Sequence, residues 1–275
     1  MARTLSVNNQ RISTRTKQGM LGAVDIPWNA DWTLDEVSFR RLLARLSTLG
    51  AHQLYVMGTA GEGYAMSNDR FKHVVDVFVD SMRNTGIGMQ VGVISLATEE
   101  VIDRIGYAHD LGVRSFQISL PSWQAVSDTE MMNFFKTVCG AYPDSEFLHY
   151  NLVRTKRILD GDDYRMILDK VPNLVAAKQG STDMALIRSW MQKAPDMQHF
   201  MLQATYGYAS QFGECSLLCA MQGVYPDLTK EYFAAGSNGD VARTLEIAET
   251  FNRHHDGLFG HLNRKMIDGA YDKLL

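Results

Sequence analysis

Cysteine and proline are scarce in this chain of 275 residues, at 3 and 6. Three thiols, Cys139, Cys215 and Cys219, are too few for a disulfide framework and have no ligand-type neighbours, which suits the reducing cytoplasm and gives no metal motif. So little proline, with 45% hydrophobic residues, excludes a disordered chain. No uncharged apolar run approaches the roughly 18 residues of a membrane span, so no membrane partner is expected. The opening MARTLSVNNQRISTRTK lacks the apolar centre of a secretory signal. It reads as a flexible arm over residues 1–18, with Arg3, Arg11, Arg15 and Lys17 solvated. Nor is charge of one sign in excess: 27 basic against 31 acidic residues leave −4, with no electrostatic footprint for nucleic acid.

What is present has a regular beat. Apolar runs occur at 21–28, 52–58, 87–94, 115–121, 146–151, 174–180, 199–204 and 215–221. They are nearly continuous rather than alternating, as expected of parallel strands covered on both faces. Between them the apolar positions recur at three and four; Val37, Leu42, Leu43, Leu46 and Leu49 share one helical face. Helix starts are predicted at Ser67, Thr98, Ser127 (a capping box with Glu130) and Ser181, and helix stops at Gly50 and Gly112. Eight strand-plus-helix units in one chain predict a (β/α)8 TIM barrel over residues 19–236. A doubly wound open sheet is the rival, and the helix before Glu214 should be short. Residues 237–257 and 258–275 read as two extra C-terminal helices of the same domain, ending close enough to Leu275 to leave room for a further terminal segment.

In such a barrel the chemistry lies at the carboxyl ends of the strands. Strand two ends in Gly58-Thr59-Ala60-Gly61-Glu62-Gly63, strand four in Pro121-Ser122-Trp123, strand five in Tyr150-Asn151 and strand six in Lys178-Gln179-Gly180. Lys178 follows Asn-Leu-Val-Ala-Ala on a strand too apolar for the surface. Desolvation disfavours an ammonium and lowers a lysine pKa by up to about 3–5 units, and a neutral amine in a dry pocket condenses with carbonyls. The alternatives are a lysine reaching solvent or one paired with Glu62. Tyr150, one strand-plus-helix unit earlier, falls on the neighbouring strand, where a phenol could move protons near an imine or simply fill the core. The Gly-rich turn fits neither a P-loop nor a dinucleotide fingerprint. Its backbone N–H groups could still converge on a carboxylate, or it could be a tight turn alone.

Taken together these residues resemble the dihydrodipicolinate synthase/N-acetylneuraminate lyase superfamily of class I, Schiff-base pyruvate aldolases. Gly58-Thr59-Ala60-Gly61-Glu62 is similar to the family's G-[TS]-T-G-E turn, Tyr150-Asn151 to the tyrosine closing strand five, and Lys178 in NLVAAKQGSTD to the Schiff-base lysine strand. The resemblance spans roughly residues 20–225. It implies a barrel with extra C-terminal helices, a cytoplasmic homo-oligomer (tetramer or dimer), a small 2-oxo acid substrate such as pyruvate, and a covalent imine through Lys178 with no metal or organic cofactor. It also implies that Tyr150 shuttles protons, that Thr59 holds its phenol, and that Ala60 and Gly61 bind the carboxylate. Asn151, Arg154 and Trp123 complete the substrate-binding set.

Three departures mark a divergent member. Ala60 stands for the second motif threonine, Ser122-Trp123 for an aromatic pair, and no proline follows Tyr150-Asn151. Trp123 resembles the hydratase-aldolase branch acting on aromatic unsaturated 2-oxo acids, where it would stack on an aryl group. A dehydratase of the same superfamily and a non-catalytic 2-oxo-acid-binding barrel are the other readings. The eight histidines, with His254 and His255 on a surface helix, are expected to be structural, Cys215 and Cys219 to pack around strand eight, and the methionines to fill the core.

Overall fold

The computed structural model describes residues 15–260 and 273. Eight parallel strands close on themselves in sequence order: β1 (Met20–Val24), β2 (Gln53–Val56), β3 (Gly88–Gly92), β4 (Ser115–Ile118), β5 (Glu146–Asn151), β6 (Leu174–Gln179), β7 (Gln198–Leu202) and β8 (Ser216–Cys219), with β1 pairing to both β2 and β8. Closure excludes the open sheet. The helices are α1 (Glu36–Leu46), α2 (Asn68–Met82), α3 (Thr98–Asp110), α4 (Asp128–Ala141), α5 (Gly161–Leu168), α6 (Met184–Lys193), α7 (Gln203–Ala209), α8 (Pro226–Ser237) and α9 (Val241–Phe259). The seventh is short, as the sequence suggests. The eighth closes the last barrel unit, and α9 is one helix that runs past the 257/258 boundary predicted from sequence. The second extra helix falls largely outside the described residues.

The predicted helix ends are met at most positions. Ser67 accepts from the Arg70 N–H, and Ser127 with Glu130 forms a reciprocal capping box. Gly112 follows the Leu111 cap of α3 at φ +97, the left-handed conformation that glycine adopts without steric cost. By contrast α1 stops earlier, at Leu46 with Ser47 as its cap, and Gly50, also at φ +97, ends the turn beyond it. At α6 the cap is Asp183, not Ser181, because the Asp183 carboxylate takes the N–H groups of Ala185 and Leu186 while Ser181 Oγ takes that of Asp183. At α3 the capping position is Ala97, and Thr98 is the first helical residue.

Alternation along each strand divides the core in two. Phe116, Phe147, Leu174, Ala177, Met201 and Leu217 face the helices, with Phe39, Phe78 and Trp190 among their buried partners. Leu21, Tyr55, Leu148, Ala176, Phe200 and Leu218 face the axis and form a second cluster inside the barrel. Below them, at the amino ends of the strands, lies a polar floor. Gln90 donates to Gln53 Oε1 (3.4 Å) and Ser115 Oγ (3.1 Å), and Gln198 donates to Ser216 Oγ.

Arg15 closes this floor from outside. Its guanidinium donates to Gln198 Oε1 (2.5 Å), Pro195 O (2.7 Å) and Glu214 O (3.0 Å) and pairs with the Glu214 carboxylate. The expectation of a solvated Arg15 is therefore corrected, since the buried Gln198 amide oxygen and the exposed carbonyls of Pro195 and Glu214 at the barrel base recruit it; Arg3 and Arg11 lie outside the described residues. Arg15→Ala leaves those acceptors without their donor and should lower stability by about 1–3 kcal/mol in urea denaturation. A loss near zero would show that water satisfies the floor equally well.

Candidate active site

All six residues of β6 are buried, yet the strand carries a lysine. The alternation that turns Ala177 outward turns Ala176 and Lys178 toward the axis. On β5 the same rule turns Leu148 and Tyr150 inward, and the register pairs Tyr150 directly with Lys178. Lys178 is 3% exposed. Its Nζ sits 3.8 Å from the centre of the Tyr150 ring and 4.5 Å from that of Tyr55, and donates to Tyr55 Oη at 2.7 Å. Thr59 Oγ1 donates to Tyr150 Oη at 3.3 Å. Glu62 is not the partner of Lys178: its Oε2 accepts from Trp28 Nε1 (2.5 Å) and Lys273 Nζ (2.9 Å). Tyr55 was missed from sequence, although its place on β2, an odd number of residues from the strand-end turn, is a readable signal for a side chain aimed at the axis.

Above the amine opens a cavity of about 370 Å³. Lys178, Tyr150, Tyr55, Thr59, Ala60 and Arg154 line it, and among the described residues no carboxylate does. Such a wall favours an anion. Gln203 adds a fixed donor: its Oε1 accepts from the N–H groups of Ala220 (2.7 Å) and Met221 (2.8 Å), and its buried Nε2 has no partner among the described residues. One face of α9 covers the mouth with Phe251, Asn252, His255 and Phe259. His255 is exposed on α9, as expected of a surface helix, and also lines the cavity, while His254 stacks on Tyr225 at 4.7 Å.

Three sequence-predicted site residues lie elsewhere. Trp123 is 81% exposed and does not line the cavity; its carbonyl accepts from Lys156 Nζ, which draws this loop toward the segment after β5 and leaves the indole in solvent. Asn151 alternates outward, donating to Leu159 O (2.8 Å) and Gln179 Oε1 (2.9 Å) and accepting from Leu159 N. Gly61 packs back on the Met57 and Val24 backbone and is not part of the cavity wall. The turn is shaped by Met57, at φ +66: a Cβ on Gly63 or on Gly92 would stand 2.3 Å from its carbonyl oxygen. Among the described residues, no three His, Cys, Asp or Glu side chains group to hold a metal ion.

Behind β5 and β6 runs a buried polar brace. Asn151 donates to Gln179, and Gln179 Nε2 lies 3.0 Å from His199 Nδ1, whose other ring nitrogen faces Ala194 O at 3.0 Å. Alongside, Tyr164 Oη meets His149 Nδ1 at 2.8 Å. Burial pushes His149 down to about 3 and His199 down to about 4, so both are neutral at physiological pH.

The sequence profile described as "Dihydrodipicolinate synthetase family" matches residues 16–273. The chain belongs to the dihydrodipicolinate synthetase family. Within this family it is 23% identical over 260 residues to the 4-hydroxy-tetrahydrodipicolinate synthase of Methanopyrus kandleri, covering 93% of this chain and 86% of that one. It is 24% identical to the enzyme of the same name from Phenylobacterium zucineum, over 88% and 82% of the two chains. Among solved structures, a prophage protein of the dihydrodipicolinic acid synthase family from E. coli K12, in complex with pyruvate, superposes with a TM-score of 0.82 at 18% identity, over 88% and 83% of the chains. CdNal from Clostridium difficile, in complex with mannosamine, gives 0.81 at 17%, over 89% and 84%. This member of the dihydrodipicolinate synthetase family is a lyase of aldolase type.

The brace predicts a pH dependence of folding. Between the ordinary imidazole value of about 6.5 and the depressed native values, the unfolded chain binds protons at these positions and the folded chain does not. Stability is therefore greatest above that ordinary value and falls as pH drops, by about 1.4 kcal/mol per pH unit for each histidine. His149→Gln should reduce the slope of unfolding free energy between pH 6 and pH 5 by nearly half, relative to the unmodified chain, on these ordinary values. An unchanged slope would show that His149 already carries its proton in the native state.

Proposed function

We propose that this enzyme is a Schiff-base aldolase acting on a 2-oxo acid such as pyruvate. The observation that carries the reading is a buried amine at the floor of a cavity whose wall holds Arg154 and phenols but, among the described residues, no carboxylate. The neutral form of Lys178 attacks the ketone carbon. The carbinolamine loses water, and the resulting imine serves as the electron sink for making or breaking the carbon–carbon bond at the adjacent carbon. No metal or organic cofactor is required in this scheme. Tyr150, held by Thr59, is placed to pass protons between nitrogen, carbinolamine oxygen and substrate carbon. Arg154 and the backbone at Ala60 offer the positive and N–H partners for the substrate carboxylate, without the hydroxyl that Ala60 lacks.

The mouth favours an acceptor half with apolar surface. Leu202, Val153, Met221, Phe251 and Phe259 make up much of the wall, and Gln203 Nε2 supplies one donor for an oxygen on it. These residues favour an aryl or similarly bulky aldehyde, and with it the hydratase-aldolase variant of the same chemistry, although Trp123 takes no part. With this reading go a homo-oligomer in solution and a cytoplasmic location, the latter in keeping with three free and buried cysteines.

Borohydride reduction in the presence of pyruvate should fix one adduct, mapped to Lys178 by peptide mass. Absence of any adduct across a series of 2-oxo acids would remove the Schiff-base reading. Lys178→Met should lose the adduct and at least about 10³-fold of turnover. Tyr150→Phe should still form the adduct but turn over about 10²-fold more slowly.

A further inference from the structure

The apolar cluster inside the barrel holds two aromatic residues, Phe200 and Tyr55, among aliphatic ones. A phenylalanine meets the packing need there, whereas a tyrosine brings a hydroxyl that must find a partner when buried. Tyr55 is 3% exposed, and its hydroxyl oxygen accepts from the very nitrogen that the Schiff-base scheme requires as nucleophile, at 2.7 Å. The fold makes room for the ring: a Cβ on Gly58 would come within 2.5 Å of the Tyr55 ring. Gly58 does not occupy the left-handed region. Glycine is thus needed at this position for space rather than for conformation, and the Tyr55 ring fills that space.

From these contacts the geometry points to Tyr55 as a second catalytic phenol, one that aims the Lys178 amine. This inference rests on the Schiff-base reading and goes beyond it. Condensation forms a C–N bond and expels the carbonyl oxygen as water, which carries away both hydrogens of the neutral amine. Before that, the nitrogen must present its lone pair to the ketone carbon. A lysine carries four side-chain torsions and swings freely unless its end is held. Here the rings of Tyr150 and Tyr55 flank Nζ, and one N–H is engaged by Tyr55 Oη. Lys178 and Tyr55 both line the cavity, so this bond holds the nitrogen beside the space that a ketone would enter. Tyr150, bonded to Thr59 on the mouth side, manages protons; Tyr55, from below, fixes the attack geometry.

Tyr55→Phe keeps the ring and removes the oxygen. The rate of borohydride-trappable imine formation at saturating pyruvate should fall about 10- to 100-fold. The pyruvate concentration for half-maximal trapping should stay within about twofold, because the carboxylate contacts are untouched, and thermal unfolding should remain a single transition. An imine-formation rate in Tyr55→Phe equal to that of the unaltered enzyme would overturn the inference and leave Tyr55 as packing. No adduct in the unaltered enzyme would instead overturn the Schiff-base reading, and this inference with it. Site-specific 3-fluorotyrosine at position 55 nearly preserves shape while weakening the oxygen as an acceptor. It should slow imine formation without lowering the melting temperature, and an unaltered rate would count against Tyr55 in the same way.

Discussion

A primary amine enclosed by a closed barrel is the constraint around which the other features of this protein are arranged. Burying Lys178 is unfavourable unless its nitrogen finds partners, and the interior supplies among them the hydroxyl of Tyr55 and the faces of two aromatic rings. A carboxylate at that distance would stabilise the ammonium and block attack on a ketone. A neutral acceptor such as Tyr55 Oη orients the nitrogen without favouring its ammonium form as strongly as a carboxylate would. The one acid near the same end with a sequence claim on Lys178, Glu62, is engaged by Trp28 and Lys273 instead.

The rigidity of that arrangement comes from the opposite face of the same strands. Tyr150 and Lys178 are neighbours in register, and Asn151 and Gln179, the next residue on each strand, are neighbours too. Because alternation sends the first pair to the axis and the second outward, one hydrogen bond between Asn151 and Gln179 locks the strands just where the reactive pair must meet. His199, His149 and Tyr164 extend this support into the helical layer. Histidines in a lyase invite assignment to acid–base chemistry. Here burial holds these two neutral, and their work is to brace the active-site strands.

The mouth shows how loops and added helices vary on a constant barrel. Trp123 lies on a loop drawn outward by Lys156, and the aromatic surface expected from it comes instead from Phe251 and Phe259, on a helix appended after the eighth unit. The apolar character of the distal wall is thus kept while the element providing it changes. Gln203, pinned by two backbone N–H groups, adds a directed donor to that wall.

Local periodicity was enough to read the eight strands, the order of the helices and the barrel itself, because continuous apolar runs alternating with amphipathic helices admit few other packings. It also marked Lys178 and Tyr150, since a charge and a phenol at the ends of such strands are conspicuous in one dimension. Tyr55 was not legible in the same way: inside an apolar run, a tyrosine that fills a core and one that touches the reactive nitrogen look alike, and only closure of β2 opposite β6 distinguishes them. Trp123 and Asn151 failed for the complementary reason. Their sequence positions were right for the site, but side-chain direction was set by a loop contact and by strand parity. His255 reached the cavity only because α9 folds back over the mouth. Sequence determined which elements exist and which carry chemistry, through short-range patterns of burial; tertiary structure decided which side chains meet, because contacts between distant strands depend on barrel closure and register, which no local pattern encodes.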